Sequence, residues 1–150
     1  MEIFKNWFPK LSSIKKITDK EEIICWEIYD EVDNLIGYGF VKDVPEGLEN
    51  IPGMEEMDRY RIYGAIDPKN YRITQIDITL HPEMNKEPWS EDLINEEFEK
   101  RFIGLSCEEI NLSPDGKIDA ITEATLSSTW LIDGIRSKVE EIIKKTKSKS

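Results

Sequence analysis

The stretch "RYRIYGAIDPKNYRITQIDITLH", residues 59–81, decides the fold. Apolar and polar residues alternate on both sides of "DPKN" (67–70), as they do in strands with one buried face. Asp67 and Pro68 suit the first two positions of a type I turn. The two halves therefore read as an antiparallel hairpin. The parity of the apolar positions changes between Ile73 and the set Ile76, Ile78 and Leu80. A bulge near Thr74-Gln75 would produce that change.

A second hairpin precedes this one. "EEIICWEIYD" (21–30) is rich in β-branched and aromatic residues. Asp33-Asn34 marks a turn, and 35–41 forms the return strand. Residues 43–58 hold two prolines and two glycines and read as a loop. Beyond the second hairpin, 82–90 is a loop ending at Ser90, a good helix N-cap followed by acids that suit the helix dipole. The helix over 91–104 places Leu93, Ile94, Phe98, Phe102 and Ile103 on one stripe, and Gly104 closes it. A short segment (106–113), read as a strand, leads to the turn "PDGK" (114–117). The last helix starts near Thr122–Thr125 and runs to about Lys145. Leu126, Trp130, Ile132, Ile135, Val139 and Ile142-Ile143 form its apolar stripe. The fold class is α+β: a mostly antiparallel sheet from two hairpins, with helices packed on one face and a long C-terminal helix. One domain is expected over 21–145, with 1–20 packed against it and 146–150 as a basic tail.

The chain has 150 residues and a formal net charge of -11. That length supports a single core, and that charge argues against a nucleic-acid binder. The one histidine and two cysteines, Cys25 and Cys107, do not supply the usual ligands of a structural zinc site. No apolar run reaches the length of a signal-peptide core or a membrane span, so a cytoplasmic chain is expected. "IFKNWF" (3–8) reads as a segment packed onto the domain.

The chemistry concentrates in "DAITEATLSSTW", residues 119–130. Thr122, Thr125, Ser127, Ser128 and Thr129 bring five hydroxyls to the start of the last helix. A helix start presents free N–H groups and a partial positive charge, which together favour an anion. One or two hydroxyls suffice for a cap. The residues alone leave two readings open, a capped helix and a phosphate seat.

The stretch "DAITEATLSSTWLIDGIR" resembles the signature of the small FMN-binding domain found in the sodium-translocating NADH:quinone reductase and in the related Rnf electron-transport complex. The family pattern is Asp, two residues, Ser or Thr, Gly, Ala, Thr, one residue, then Ser or Thr twice. The chain matches at Asp119, Thr122, Ala124, Thr125, Ser127 and Ser128, with Leu126 in the variable place. "NLIGYGF", "GAIDPKNYRITQIDITLHPE" and "FEKRFIGLSCEEINL" resemble the family's upstream strand, its hairpin ending in His-x-Glu and its FxxxFxGK helix end. The similarity spans roughly 23–140.

The resemblance implies a flavoprotein domain that transfers electrons. In the family the residue matched by Thr125 can carry FMN through a phosphoester made by a flavin transferase. His81 and Glu83 take the His-x-Glu positions near the flavin, and Trp89 is either a ring that stacks on it or a core anchor. Glu123 replaces the family's Gly, and "MNKEPWS" (84–90) replaces its glycine-rich turn. Covalent and non-covalent FMN are therefore both open. So is a module that keeps the fold without flavin and binds a partner. A redox partner protein is implied, and an electron carrier or a component of a redox complex is expected over a stand-alone enzyme.

Overall fold

The computed structural model describes residues 2–44, 59–82, 96–111, 118 and 125–147, with 125–127 described by backbone alone. Five strands form one antiparallel sheet in chain order: β1 (Ser13–Asp19), β2 (Glu22–Tyr29), β3 (Leu35–Val44), β4 (Tyr60–Ile66) and β5 (Ile73–Leu80). Among the described residues the helices are α1 (Glu2–Trp7), α2 (Glu96–Lys100) and α3 (Thr125–Lys147). A 3₁₀ turn occupies Cys107–Glu109, where the sequence suggests a short strand. The α+β architecture with a long C-terminal helix is as the sequence reading has it.

The β4–β5 hairpin carries the expected bulge. Ala65 pairs with Gln75 and Ile66 with Ile73, so Thr74 is the extra residue. The connection is wider than a four-residue type I turn. The Tyr71 amide donates to the Asp67 carbonyl at 2.9 Å, and Tyr71 sits at φ 57°. The Asp67 carboxylate holds the turn by accepting the Lys69 amide at 2.7 Å. In the β2–β3 turn, Asp30 Oδ1 accepts the amides of Val32 and Asn34, and Asp33 takes φ 61°. Short acceptors that bond the backbone two to four residues on suit both turns.

One strand more is present than two hairpins supply. Ser13–Asp19 pairs with β2 through the turn at Lys20 and Glu21, which both take positive φ, at 51° and 73°. Two successive left-handed residues make a hairpin turn that Asn-Gly usually fills. Lys-Glu gives no such signal, so the strand is hidden in the N-terminal segment.

The main core lies between the sheet and α3. Tyr38, Phe40 and Val44 of β3, Tyr60, Ile62 and Ile66 of β4, and Ile76 and Ile78 of β5 face Leu131, Ile132, Ile135, Val139 and Ile142. Phe98 and Phe102 join that core and pack edge to face at 5.5 Å. Ile103, expected on the same stripe, is 40% exposed. The chain leaves helical geometry after Lys100, so helical spacing no longer applies there. The opposite face of the sheet is covered by α1. Phe4 and Phe8 rest on Gly39 and Gly37, and Phe4 also meets Trp26. The helices therefore occupy two faces, not one.

The outer edge of β5 is closed by α2 and the segment that follows it. Glu99 Oε2 accepts the Ile78 amide at 2.6 Å, Gly104 donates to Ile73, and Ile73 donates to Leu105. Gly104, at φ 83°, supplies the reversal that brings the chain back to the strand. Satisfying these edge groups removes a site for unwanted strand pairing.

Candidate functional site: the start of the long helix

The position of α3 follows from two contacts. Gly134 lies against Val44, at the end of β3. Twelve residues on, the Thr146 hydroxyl meets the Tyr71 hydroxyl at 3.0 Å, beside the stacked rings of Tyr38 and Tyr71. The helix therefore runs against the direction of β3. Its first residue, Thr125, lies about 13 Å beyond Gly134 at 1.5 Å per residue, past the Val44 end of the sheet. Val44, Tyr60, Leu80 and His81 all belong to that end.

Thr125 is the first helical residue, within the interval the sequence sets for the helix start. The backbone N–H groups of the turn from Thr125 to Ser128 are those a helix leaves without acceptors four residues back. The side chains of Thr125, Leu126 and Ser127 lie outside what is described, as do Asp119, Thr122 and Ala124. Ser128 is described, and it is fully buried. Its place, three residues before Leu131 and four before Ile132, puts it on the core stripe. Of the two described hydroxyl residues here, Ser128 is buried and Thr129 is half-buried.

His81 is also buried, at 7% exposure. Its amide donates to the Arg59 carbonyl at 2.8 Å, which extends the β4–β5 ladder by one residue. Its Nε2 lies 3.3 Å from Asp43 Oδ2 and 3.3 Å from Arg61 Nη2. Arg61 grips Asp43 with two bonds, Nε to Oδ1 at 2.8 Å and Nη2 to Oδ2 at 3.1 Å. Burial alone would raise the Asp43 carboxyl, but the bonds and charge of Arg61 hold it below the ordinary carboxylate range. The same bonds push the Arg61 guanidinium up. A neutral imidazole with an unprotonated Nε2 accepts from Arg61. Only a protonated Nε2 donates to Asp43. Which of the two partners the ring bonds therefore depends on its tautomer.

Asp43 and Arg61 do not stand out in the sequence. Each is an odd-numbered residue on its strand, and they meet because Asp43 pairs with Arg61 in the β3–β4 register. Nothing local in either segment announces that pairing. Glu83 and Trp89 lie outside the described residues. His81 and the start of α3 share one end of the sheet, while Asp43 and Arg61 project from the face opposite α3.

The thiols are not part of this arrangement. Cys25 is buried, and burial pushes the Cys107 thiol up to about 11. Among the described residues no cluster of His, Cys, Asp and Glu is suited to a metal ion, and no helix is long and apolar enough to cross a membrane. No protein-family description, curated protein or solved structure matches the chain.

Proposed function

We propose that the protein is a cytoplasmic electron-transfer flavoprotein that seats FMN at the start of α3. The supporting observation is the agreement between the 119–128 motif and the helix that begins at Thr125. An N–H-rich first turn with adjoining hydroxyls suits a phosphate monoester. Thr125 is the residue for a phosphoester made by a flavin transferase. Thr122, Ser127 and the backbone of Ala124 and Leu126 would bind the remaining phosphate oxygens. Asp119 would fix the approach to the helix. Ser128, facing inward, would hold the first turn in place and leave the ligand to its neighbours. His81, held beside Asp43 and Arg61, would lie at the same end of the sheet, with Glu83 and Trp89 following it in sequence. Bound flavin supplies the redox chemistry, and the protein sets position and electrostatics. The physiological donor or acceptor would be another protein.

Intact mass after co-expression with a flavin transferase tests this reading. The expected product is yellow and heavier by one FMN less water, and Thr125→Ala is colourless and unmodified. If the native chain stays unmodified, titration with free FMN tests the non-covalent form. A colourless chain that takes up no FMN in either experiment overturns the proposal.

The buried Ser128 and the closed His81 cluster favour a second reading, a flavin-free module that binds a partner. In that case Thr125→Ala lowers stability as the loss of a helix cap does, by about 1 kcal/mol, with no flavin-dependent change. Equal melting temperatures with and without FMN would accompany it.

A further inference from the structure

A cleft of about 620 Å³ opens on the face of the sheet opposite α3, between α1, β5 and α2. Trp7 forms one wall, Gln75 and Asp77 the floor, and Glu96 and Glu99 the other wall. We propose that this cleft binds an organic cation, an alkylammonium group on a short chain.

The lining is matched to that chemistry. Three carboxylates, Asp77, Glu96 and Glu99, face one cation, Lys100. Among the described residues Lys100 forms no ion pair with any of them. Glu99 spends one oxygen on the Ile78 amide, which leaves Oε1 for a ligand. Among the described residues the Asp77 carboxylate has no hydrogen-bond donor or cation beside it. Burial raises both the Asp77 and the Glu99 carboxyl, and each of the other two acids adds repulsion at Glu99. Among the described residues, this negative charge sits where water solvates it poorly and no cation pairs with it. An ammonium group relieves that strain, because an opposite charge within a few ångströms favours the ionised carboxylates. The Trp7 indole lines the cleft, with its ring 6.1 Å from that of Phe4, and an indole is the aromatic ring to which a cation is most strongly attracted. The exposed Ile103 supplies an apolar edge for methylene groups. Inorganic cations lack that apolar match. The site lies on the other face from α3, so it stands whether or not flavin binds.

The shared chemistry has two sources, a free diamine and the lysine side chain of another protein. Calorimetric titration with 1,4-diaminobutane and, separately, with N-acetyl-lysine amide distinguishes them. Saturable binding of at least one is expected. Asp77→Asn should weaken it about tenfold, the usual size for losing a charge-assisted contact. Glu31→Gln removes an exposed acid at the β2–β3 turn and should leave binding unchanged. The Trp7 indole N–H resonance, assigned by its loss in Trp7→Phe, should move during the titration. Absence of saturation overturns the proposal. So does equal weakening by Asp77→Asn and Glu31→Gln, which would mean diffuse attraction to an acidic body. Trp7 resonances that stay still while other signals move would place binding elsewhere and overturn it too.

Discussion

The two faces of β3 solve one packing problem in opposite ways. Towards α3 the strand supplies bulk and the helix supplies space: Val44 fills the position opposite Gly134, where an added Cβ would come within 2.4 Å of Val44 Cγ1. Towards α1 the strand supplies space and the helix supplies bulk. A Cβ on Gly39 would lie 2.5 Å from Phe4 Cζ, and one on Gly37 would lie 2.5 Å from Phe8 Cζ. Both contacts bring backbones close, but the two helices depend on them differently. Helix α3 has 23 residues and a continuous buried stripe. Helix α1 has six residues, too few to persist alone in water, and its one fully buried side chain is Phe4.

The largest effect should therefore come from the smaller helix. Phe4→Ala removes the ring from the Gly39 groove and should cost about 3–5 kcal/mol, the range for deleting a buried aromatic. Urea unfolding measures it, and hydrogen exchange should show α1 unprotected. A loss below about 1 kcal/mol would mean that α1 is held by something other than this ring.

Next in size is Gly134→Ala. Helix propensity favours alanine by about 1 kcal/mol, but overpacking against Val44 costs about 1–3 kcal/mol. The net change should be destabilising. Val44→Ala in the same chain opens the space, so the double variant should be more stable than the sum of the two single effects. Additive effects would show that the contact gives way without strain.

A smaller gain is expected at the β1–β2 turn. Glu21 takes φ 73°, where a side chain costs about 1 kcal/mol and glycine costs nothing steric. Glu21→Gly should raise stability by about 0.5 kcal/mol once the unfolded chain's extra freedom is counted. A thermal melt at neutral pH is sufficient. A decrease would indicate that the Glu21 side chain contributes more than its backbone costs.

These contrasts explain what the sequence disclosed. The β4–β5 hairpin, its bulge and the α3 stripe were legible because their apolar residues keep the period of the element that holds them. Thr125 and Ser128 were legible as candidates through the hydroxyl-rich helix start, and His81 through the family resemblance. What stayed hidden depended on partners distant in the chain. β1 has one buried residue, Ile17, and a turn of Lys and Glu, so neither pattern nor turn chemistry marked it. Nothing near Gly37 and Gly39 in the sequence announces the rings of Phe8 and Phe4 that rest on them. The Asp43–Arg61–His81 cluster exists through register, which no single segment encodes.

The smallest effects lie in two carboxylates that share the α1 side of the sheet and respond to pH in opposite directions. Arg61 lowers Asp43 in the fold, so the stability it contributes is present above the ordinary carboxylate value. That contribution is lost as pH falls through the folded value. Burial raises Asp77, so its contribution is full below the ordinary value and is lost as pH rises through the folded value. Asp43→Asn should therefore destabilise the protein at neutral pH, and Asp77→Asn should stabilise it. Both differences from the parent chain should shrink towards pH 3, where the parent carboxyls take up protons. Each should stay within about 0.5 kcal/mol, because both groups are partly exposed. Urea midpoints at pH 7 and pH 3 for the three chains measure this. Shifts of the same sign for the two variants would mean that net charge, and not the separate surroundings of Asp43 and Asp77, governs how this face responds to acid.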